Sequence, residues 1–216
     1  MKTFIVITFL IVNSFTFSQN SYYFALPIPS IEAKVNTVKS KWFGTYSSLE
    51  QPSHYLIDEN GIALISTVIS SVSRETIRES SKYSVQNGFI HGVVDKDSLP
   101  CVLKGEYYYF GIQNTEIIIG EGNDNVLTKI DENGNFIINT HENGSYIPLK
   151  ISFTSNTFSI SYFDYDFDTK VFRFINNQNT IPSNDYDLII LSPTEKEMKK
   201  LLKSSIWGEV KTFTKK

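Results

Sequence analysis

Asp58-Glu59-Asn60-Gly61 decides the fold, because the chain uses it again as Asp131-Glu132-Asn133-Gly134 and nearly again as His141-Glu142-Asn143-Gly144. In each, a polar side chain at the first position can cap a turn. Glycine at the fourth can take positive φ, which fits a type I turn followed by a G1 bulge. Each is expected to reverse one antiparallel strand into the next. Tyr55-Leu56-Ile57 then pairs with Ile62 to Val72, Val126 to Ile130 with Asn135 to Thr140, and that strand with Ser145 to Phe153. Gln86-Asn87-Gly88 is expected to join Tyr83-Val85 to Phe89-Val94, and Lys104-Gly105-Glu106 to join Val102-Leu103 to Tyr107-Ile112. The strands around the repeated tetrapeptide are unlike one another, so it marks hairpins and not a repeat of fixed period.

Outward from these turns, alternation supports strands. Thr154, Asn156, Phe158, Ile160 and Tyr162 oppose Phe153, Ser155, Thr157, Ser159 and Ser161, a one-sided pattern. Val171-Phe172-Arg173-Phe174 and Tyr186 to Leu191 are further strand candidates. Upstream, Lys41-Trp42-Phe43-Gly44-Thr45-Tyr46-Ser47 is the first strand-like run. It follows a helical pattern in which Ser30 can cap and Ile31, Val35, Val38 and Trp42 share a face. Downstream, Ser192-Pro193-Thr194-Glu195 has the form of a capping box with proline at the first helical position. Met198, Leu201, Leu202 and Ile206 would then face the sheet, with Lys196, Lys199, Lys200 and Lys203 in water.

Residues 1–18 have the form of a signal peptide. Met1-Lys2 gives a positive start, Phe4 to Val12 is apolar apart from Thr8, and Thr16-Phe17-Ser18 suits cleavage after Ser18. The apolar run is shorter than the roughly 18 residues of a membrane span, so no transmembrane anchor is expected after cleavage. A secreted or periplasmic location follows. Without Lys2 the chain has 19 basic and 23 acidic residues. No basic stripe is present, which argues against a nucleic-acid partner. Cys101 is the single cysteine, so no internal disulfide braces the fold and the core must hold it. Domain organisation is then simple. A lead-in with a short helix spans 19–40, and one antiparallel β domain spans 41–216, ending in a helix over 193–206.

No sequence motif announces catalysis. A Gly-x-Ser-x-Gly elbow, a His-Glu-x-x-His pair, a phosphate-binding glycine loop and a Cys-x-x-Cys pair are all missing. His54, His91 and His141 are far apart in the chain, and a Cys101–His91 pair would need them to meet in space. No catalytic residue is assigned and no cofactor is expected. Asp164, Asp166 and Asp168 would project from one face of an extended strand about 7 Å apart and are candidate metal ligands. They do not begin an EF-hand: Lys170 stands where its glycine belongs and Ile175 where its closing glutamate belongs. Aromatic residues make up 14% of the chain, densest in Tyr107-Tyr108-Tyr109-Phe110. On a strand this run puts rings on both faces. One face can be core, and the other needs a second layer, a ligand or a partner.

Two stretches resemble the lipocalin family. Gly44-Thr45-Tyr46 after a short helix looks like that family's glycine-x-tryptophan entry strand. Leu188-Ile189-Ile190-Leu191-Ser192-Pro193-Thr194 looks like its last strand running into a packed helix. The resemblance implies an up-and-down barrel holding one small apolar molecule. Too many strands, and no arginine at the end of the last one, depart from that pattern.

The fold expected is mainly β, an antiparallel barrel or two-layer sandwich with a short N-terminal helix and one C-terminal amphipathic helix. The function expected is that of an exported, non-enzymatic binding protein, for a small apolar ligand or a surface protein partner. Trp42, Tyr46, Tyr107, Tyr109 and Phe110 are its candidate ligand-binding residues. The alternatives are a structural or interaction protein of the cell envelope, and a hydrolase in which at least two of the histidines, the aspartates and Cys101 converge.

Overall fold

Fifteen strands join in one sheet that does not close on itself in this computed structural model, which describes residues 21–94, 97–163, 172–182, 187–203 and 206–216. The chain is mainly β, as its turns imply. The expected signal peptide and Asp164, Asp166 and Asp168 lie outside the described residues.

The strands run β1 (Ser21–Phe24), β2 (Gly44–Ser47), β3 (His54–Asp58), β4 (Gly61–Ser73), β5 (Ser84–Gln86), β6 (Phe89–Val94), β7 (Asp97–Lys104) and β8 (Tyr107–Ile119). They continue as β9 (Val126–Lys129), β10 (Asn135–Glu142), β11 (Ser145–Phe153), β12 (Thr157–Phe163), β13 (Gln178–Ile181), β14 (Leu188–Leu191) and β15 (Trp207–Lys215). Helix α1 (Arg74–Glu79) follows β4, and α2 (Glu195–Leu201) follows β14.

The repeated tetrapeptide works as its chemistry requires. The Asn60 amide donates to Asp58 Oδ1 and the Asn133 amide to Asp131 Oδ1, each at 2.8 Å. Gly61 and Gly134 then take φ of +133° and +102°, which glycine adopts without a Cβ penalty. The third copy differs. Asn143 and Gly144 both have positive φ, as do Asn87 and Gly88, the signature of a two-residue type I′ turn. Their strands pair as Glu142↔Ser145 and Gln86↔Phe89, so only two residues remain to make each reversal.

One wall of the molecule is a sheet wrapped around aromatic rings. Strands β9-β10-β11-β12-β15-β2-β3-β4-β8 are neighbours in that order, and all contribute to one core. Trp42 stacks on Phe153 at 5.3 Å, Phe153 on Phe158 at 5.1 Å, and Tyr55 lies edge-on to Phe158 and Phe213 at 5.1 and 4.9 Å. Such pairs add about 0.5–1.5 kcal/mol each beyond the area they bury. Gly134 is tied to this packing, because a Cβ there would stand 2.8 Å from Trp42 Cζ2. The turn glycine therefore lets the indole close over the hairpin.

The other face of β10 and β12 carries a second core. Ile137 and Phe163 meet Tyr22 and Phe24 of β1, Leu191 of β14, and Met198 and Leu201 of α2. The helix buries its apolar side while Lys196, Lys199 and Lys200 stay exposed, as expected. Its cap sits two residues later than the sequence pattern suggests. Thr194 and Glu197 form the capping box, because the Glu197 carboxylate also accepts from the Asn176 amide and side chain at 3.0 and 2.9 Å. Those donors, with the Thr194 amide first, hold the Glu197 carboxyl below its usual range.

Three expectations need correction. The helix expected between Ser30 and Ser40 is two short 3-10 turns, Ile31–Ala33 and Ser40–Trp42, with a bridge from Lys34 to Thr128 and a bend at 36–37 between them. Backbone pairing overrides the helical pattern there: the Val35 amide donates to Leu127 O and Thr37 Oγ1 to Asp58 O, each at 2.9 Å. Phe172 to Phe174 form a turn and not a strand, with Phe172 buried among Tyr22 and Phe163. The helix expected over 193–206 is shorter and does not close the domain. Strand β15 follows it and inserts between β12 and β2.

A buried polar pin joins the lead-in to the sheet. Asn139 Oδ1 accepts from the Ile28 amide at 2.8 Å, and its Nδ2 donates to Ile28 O at 3.0 Å, Val126 O at 3.2 Å and Thr128 Oγ1 at 3.1 Å. Thr128 Oγ1 donates to Ile28 O in turn. A buried amide so fully partnered is affordable where an unpartnered one is not.

From this body projects an arm. Strands β4 and β8 each run 13 residues. Strand β3 pairs only with Gly61–Ile65, and β7 only with Tyr107–Phe110. Between these limits Ser66–Ile69 and Gly111–Asn114 form a two-stranded neck, about 13 Å long at the usual rise per residue. Beyond it β4-β8-β7-β6-β5 form a small sheet, with α1 lying against β4 and β5.

Candidate interaction surface on the arm

Register decides which side chains share a face of the arm. In antiparallel pairs the directly opposed residues lie on the same side. Ser71, Tyr109 and Val102 form one row, Ser73, Tyr107 and Lys104 the next, while Ile69 opposes Gly111 and Phe89 opposes Pro100. Odd residues of β4 and β8 therefore join even residues of β7 and odd residues of β6 on one face. The opposite face carries Val68, Val72, Tyr108, Phe110, Leu103, Cys101, Leu99 and Ile90.

The two faces differ in cover. On the second face Ile90 is fully buried and Phe110 is 6% exposed, while Leu103 and Val68 toward its ends are 45% and 53% exposed. On the first face Val102 is 71% exposed, Ile69 68%, Tyr107 48%, Phe89 42% and Tyr109 39%. Pro100 is exposed as well. Apart from Lys104, the strand residues of this face include no Asp, Glu, Lys or Arg. Eight of the thirteen large apolar side chains exposed among the described residues lie between Gly61 and Ile119, five of them on this face. A continuous patch of this kind is the mark of a contact surface.

The sequence-proposed ligand residues divide between two places. Trp42 and Tyr46 are 3% and 0% exposed inside the body. Tyr46 Oη donates to Trp42 O at 2.7 Å, and rings occupy the space around both. Burial raises the Tyr46 phenol above its ordinary value, and burial, then Tyr162 and Glu116, push Tyr55 up to about 12. Tyr107, Tyr109 and Phe110 lie across the neck in the arm, and they split there: Tyr107 and Tyr109 on the bare face, Phe110 on the covered one. Sequence reasoning passed over Ile69, Phe89 and Val102. Each is ordinary alone, and only the hairpin registers bring them beside the tyrosines.

The chemically reactive residues do not gather. His54 is on β3, His141 is on β10 against the Tyr146 ring at 5.2 Å, and His91 is on β6. His91 opposes Ser98 on the bare face, while Cys101 is on the covered one, so the two cannot act as base and nucleophile. Burial pushes the Cys101 thiol up, away from thiolate, which is the inert setting for a cysteine. Among the described residues no group of three His, Cys, Asp or Glu side chains is placed to hold a metal. An open cleft of about 530 Å³ between Ser47–Glu50 and Thr212–Lys216 offers hydroxyls, one carboxylate and two lysines, without a convergent set. Among the described residues no helix is long and apolar enough to cross a membrane.

No family model, curated protein or solved structure matches this chain.

Proposed function

We propose that the protein is an exported, non-enzymatic binding protein that engages a macromolecular partner through the bare face of its arm. The carrying observation is the asymmetry of one small sheet: Ile90 and Phe110 are covered on one side, while Val102, Ile69, Phe89, Tyr107 and Tyr109 stand in water on the other. A sheet is stable when each apolar face has a covering layer, and this face has none among the described residues. The body contributes support, because rings fill the space beside Trp42 and Tyr46. Export rests on the character of residues 1–18.

A photo-crosslinking amino acid placed at position 102, with position 49 as control, tests this in cells that export the protein. Leu49 is fully exposed on the body. Adducts from position 102 and none from 49 support the reading. Equal yields from both, or none, overturn it. Amino-terminal sequencing of the exported product checks the processing, with Gln19 expected first.

A further inference from the structure

Four asparagines in the chain are followed by glycine: Asn60-Gly61, Asn87-Gly88, Asn133-Gly134 and Asn143-Gly144. Each pair lies where one strand turns into the next, and the structure sorts them into two kinds. We infer that Asn87-Gly88 and Asn143-Gly144 are sites of spontaneous modification, at which the chain converts asparagine to aspartate and isoaspartate with water as co-reactant, while Asn60-Gly61 and Asn133-Gly134 are held back by their packing.

The step is intramolecular. The glycine amide nitrogen gives up its proton to water and bonds to the asparagine Cγ. The bond from Cγ to Nδ2 breaks, and that nitrogen takes a proton and leaves as ammonia. Water then opens the five-membered imide at one of its two carbonyls. One opening leaves aspartate, and the other leaves isoaspartate, in which the main chain runs through the side-chain carbons. In sum one water enters and one ammonia leaves, with nothing oxidised or reduced. Glycine favours the attack because it has no Cβ to crowd the nitrogen. The ring closes only when the backbone of the pair rotates out of its turn, so the rate follows how freely that turn opens.

All four pairs carry the same reacting groups. Glu59, Glu132 and Glu142 precede three of them and Gln86 the fourth, so the surroundings decide. Asn87, Gly88, Asn143 and Gly144 are all exposed. A Cβ built on Gly88 or Gly144 would meet no atom within 4 Å, so these turns can rotate without displacing a neighbour. Gly61 and Gly134 are buried. A Cβ on Gly61 would overlap Ile119 O, and one on Gly134 would stand 2.8 Å from Trp42 Cζ2 and 3.0 Å from Phe153 O. Gly134 O also accepts from the Phe153 amide at 3.0 Å. The Asn60 and Asn133 amides are tied to the Asp58 and Asp131 carboxylates. Opening either of these turns must first break that packing.

Conversion changes both charge and length. Each event adds one negative charge. Isoaspartate also adds one main-chain atom to a reversal that has only two residues between Gln86 and Phe89, or between Glu142 and Ser145. Asn87 stands two residues before Phe89, so its conversion brings a carboxylate close to the arm's apolar face. The chemistry itself does not depend on what that face binds.

Peptide mapping by mass spectrometry, on purified chain held folded at mildly alkaline pH over a time course, tests the inference. Electron-transfer fragmentation separates aspartate from isoaspartate. Asn87 and Asn143 are expected to convert at least about tenfold faster than Asn60 and Asn133, the ratio that an opening cost of about 1.4 kcal/mol produces. In urea above the unfolding transition the four rates are expected to converge, with Asn60 and Asn133 gaining most. Circular dichroism establishes that the untreated sample stays folded. Four equal rates in the folded chain, or faster loss at Asn60 or Asn133, overturns the inference. So does a folded chain that leaves Asn87 and Asn143 intact while the unfolded chain converts them.

Discussion

The body and the arm are built from the same hairpin chemistry and end in opposite states. In the body, inward side chains from nine strands meet in a continuous run of rings, and even the face beyond β10 and β12 is covered by β1, β14 and α2. In the arm, the same strands β4 and β8 continue with the same alternation, but among the described residues one side buries Ile90 and Phe110 while the other leaves Val102 and Ile69 in water. Alternation alone does not distinguish a core face from a binding face. What distinguishes them is whether the chain returns to cover it.

The largest predicted effect tests the body's side of this contrast. Phe153 touches the rings of Trp42, Tyr46, Phe136 and Phe158. Phe153→Ala is expected to lower unfolding free energy by about 4 kcal/mol in urea denaturation. A loss under about 1 kcal/mol would mean the core relaxes around the gap. Asn139→Ala is next, at about 2–3 kcal/mol, because it strips partners from the buried Ile28 amide and carbonyl. A neutral result would remove the polar pin from the account. Gly134→Ala follows at about 2 kcal/mol, from a Cβ forced against Trp42 at a positive φ. Near-ultraviolet circular dichroism should report the indole's displacement.

A pH experiment probes the same core more gently. Burial, then Tyr162 and Glu116, push the Tyr55 phenol from its ordinary 10.0 up to about 12. Between those values the unfolded chain loses a proton that the folded chain retains. Stability therefore falls as pH rises through that window, and Tyr55→Phe should reduce the slope. An unchanged slope in that variant would place the alkaline sensitivity elsewhere. The smallest effect belongs to the arm. Val102→Ser is expected to change monomer stability by less than about 0.5 kcal/mol, since the side chain gives up no buried contact. A loss comparable with Phe153→Ala would show that the arm is part of the core and break the comparison.

Local chemistry made the hairpins legible. Asp58-Glu59-Asn60-Gly61 and its relatives predict antiparallel pairing because cap and glycine act within four residues. The parallel pairing of β1 with β14 was not legible, since it joins Ser21 to Leu188 across most of the chain. Nor was β15, whose only buried side chain among its described residues is Phe213. The helical spacing of Ile31, Val35, Val38 and Trp42 misled for a related reason: Val38 and Trp42 are buried as that spacing implies, but an open strand edge at β9 captured the backbone. The surface was half legible. Tyr107-Tyr108-Tyr109-Phe110 announced an uncovered face, while Ile69, Phe89 and Val102 joined it only through register.

The most direct test of the account is hydroxyl-radical footprinting of the protein in place on the exporting cell, compared with dilute purified chain. Tyr107 and Tyr109 are expected to be labelled several-fold less in place, as burial against a partner requires, with Leu49 labelled equally in both. Equal labelling of the two tyrosines in both settings would contradict the claim that the arm's bare face is where this protein is recognised.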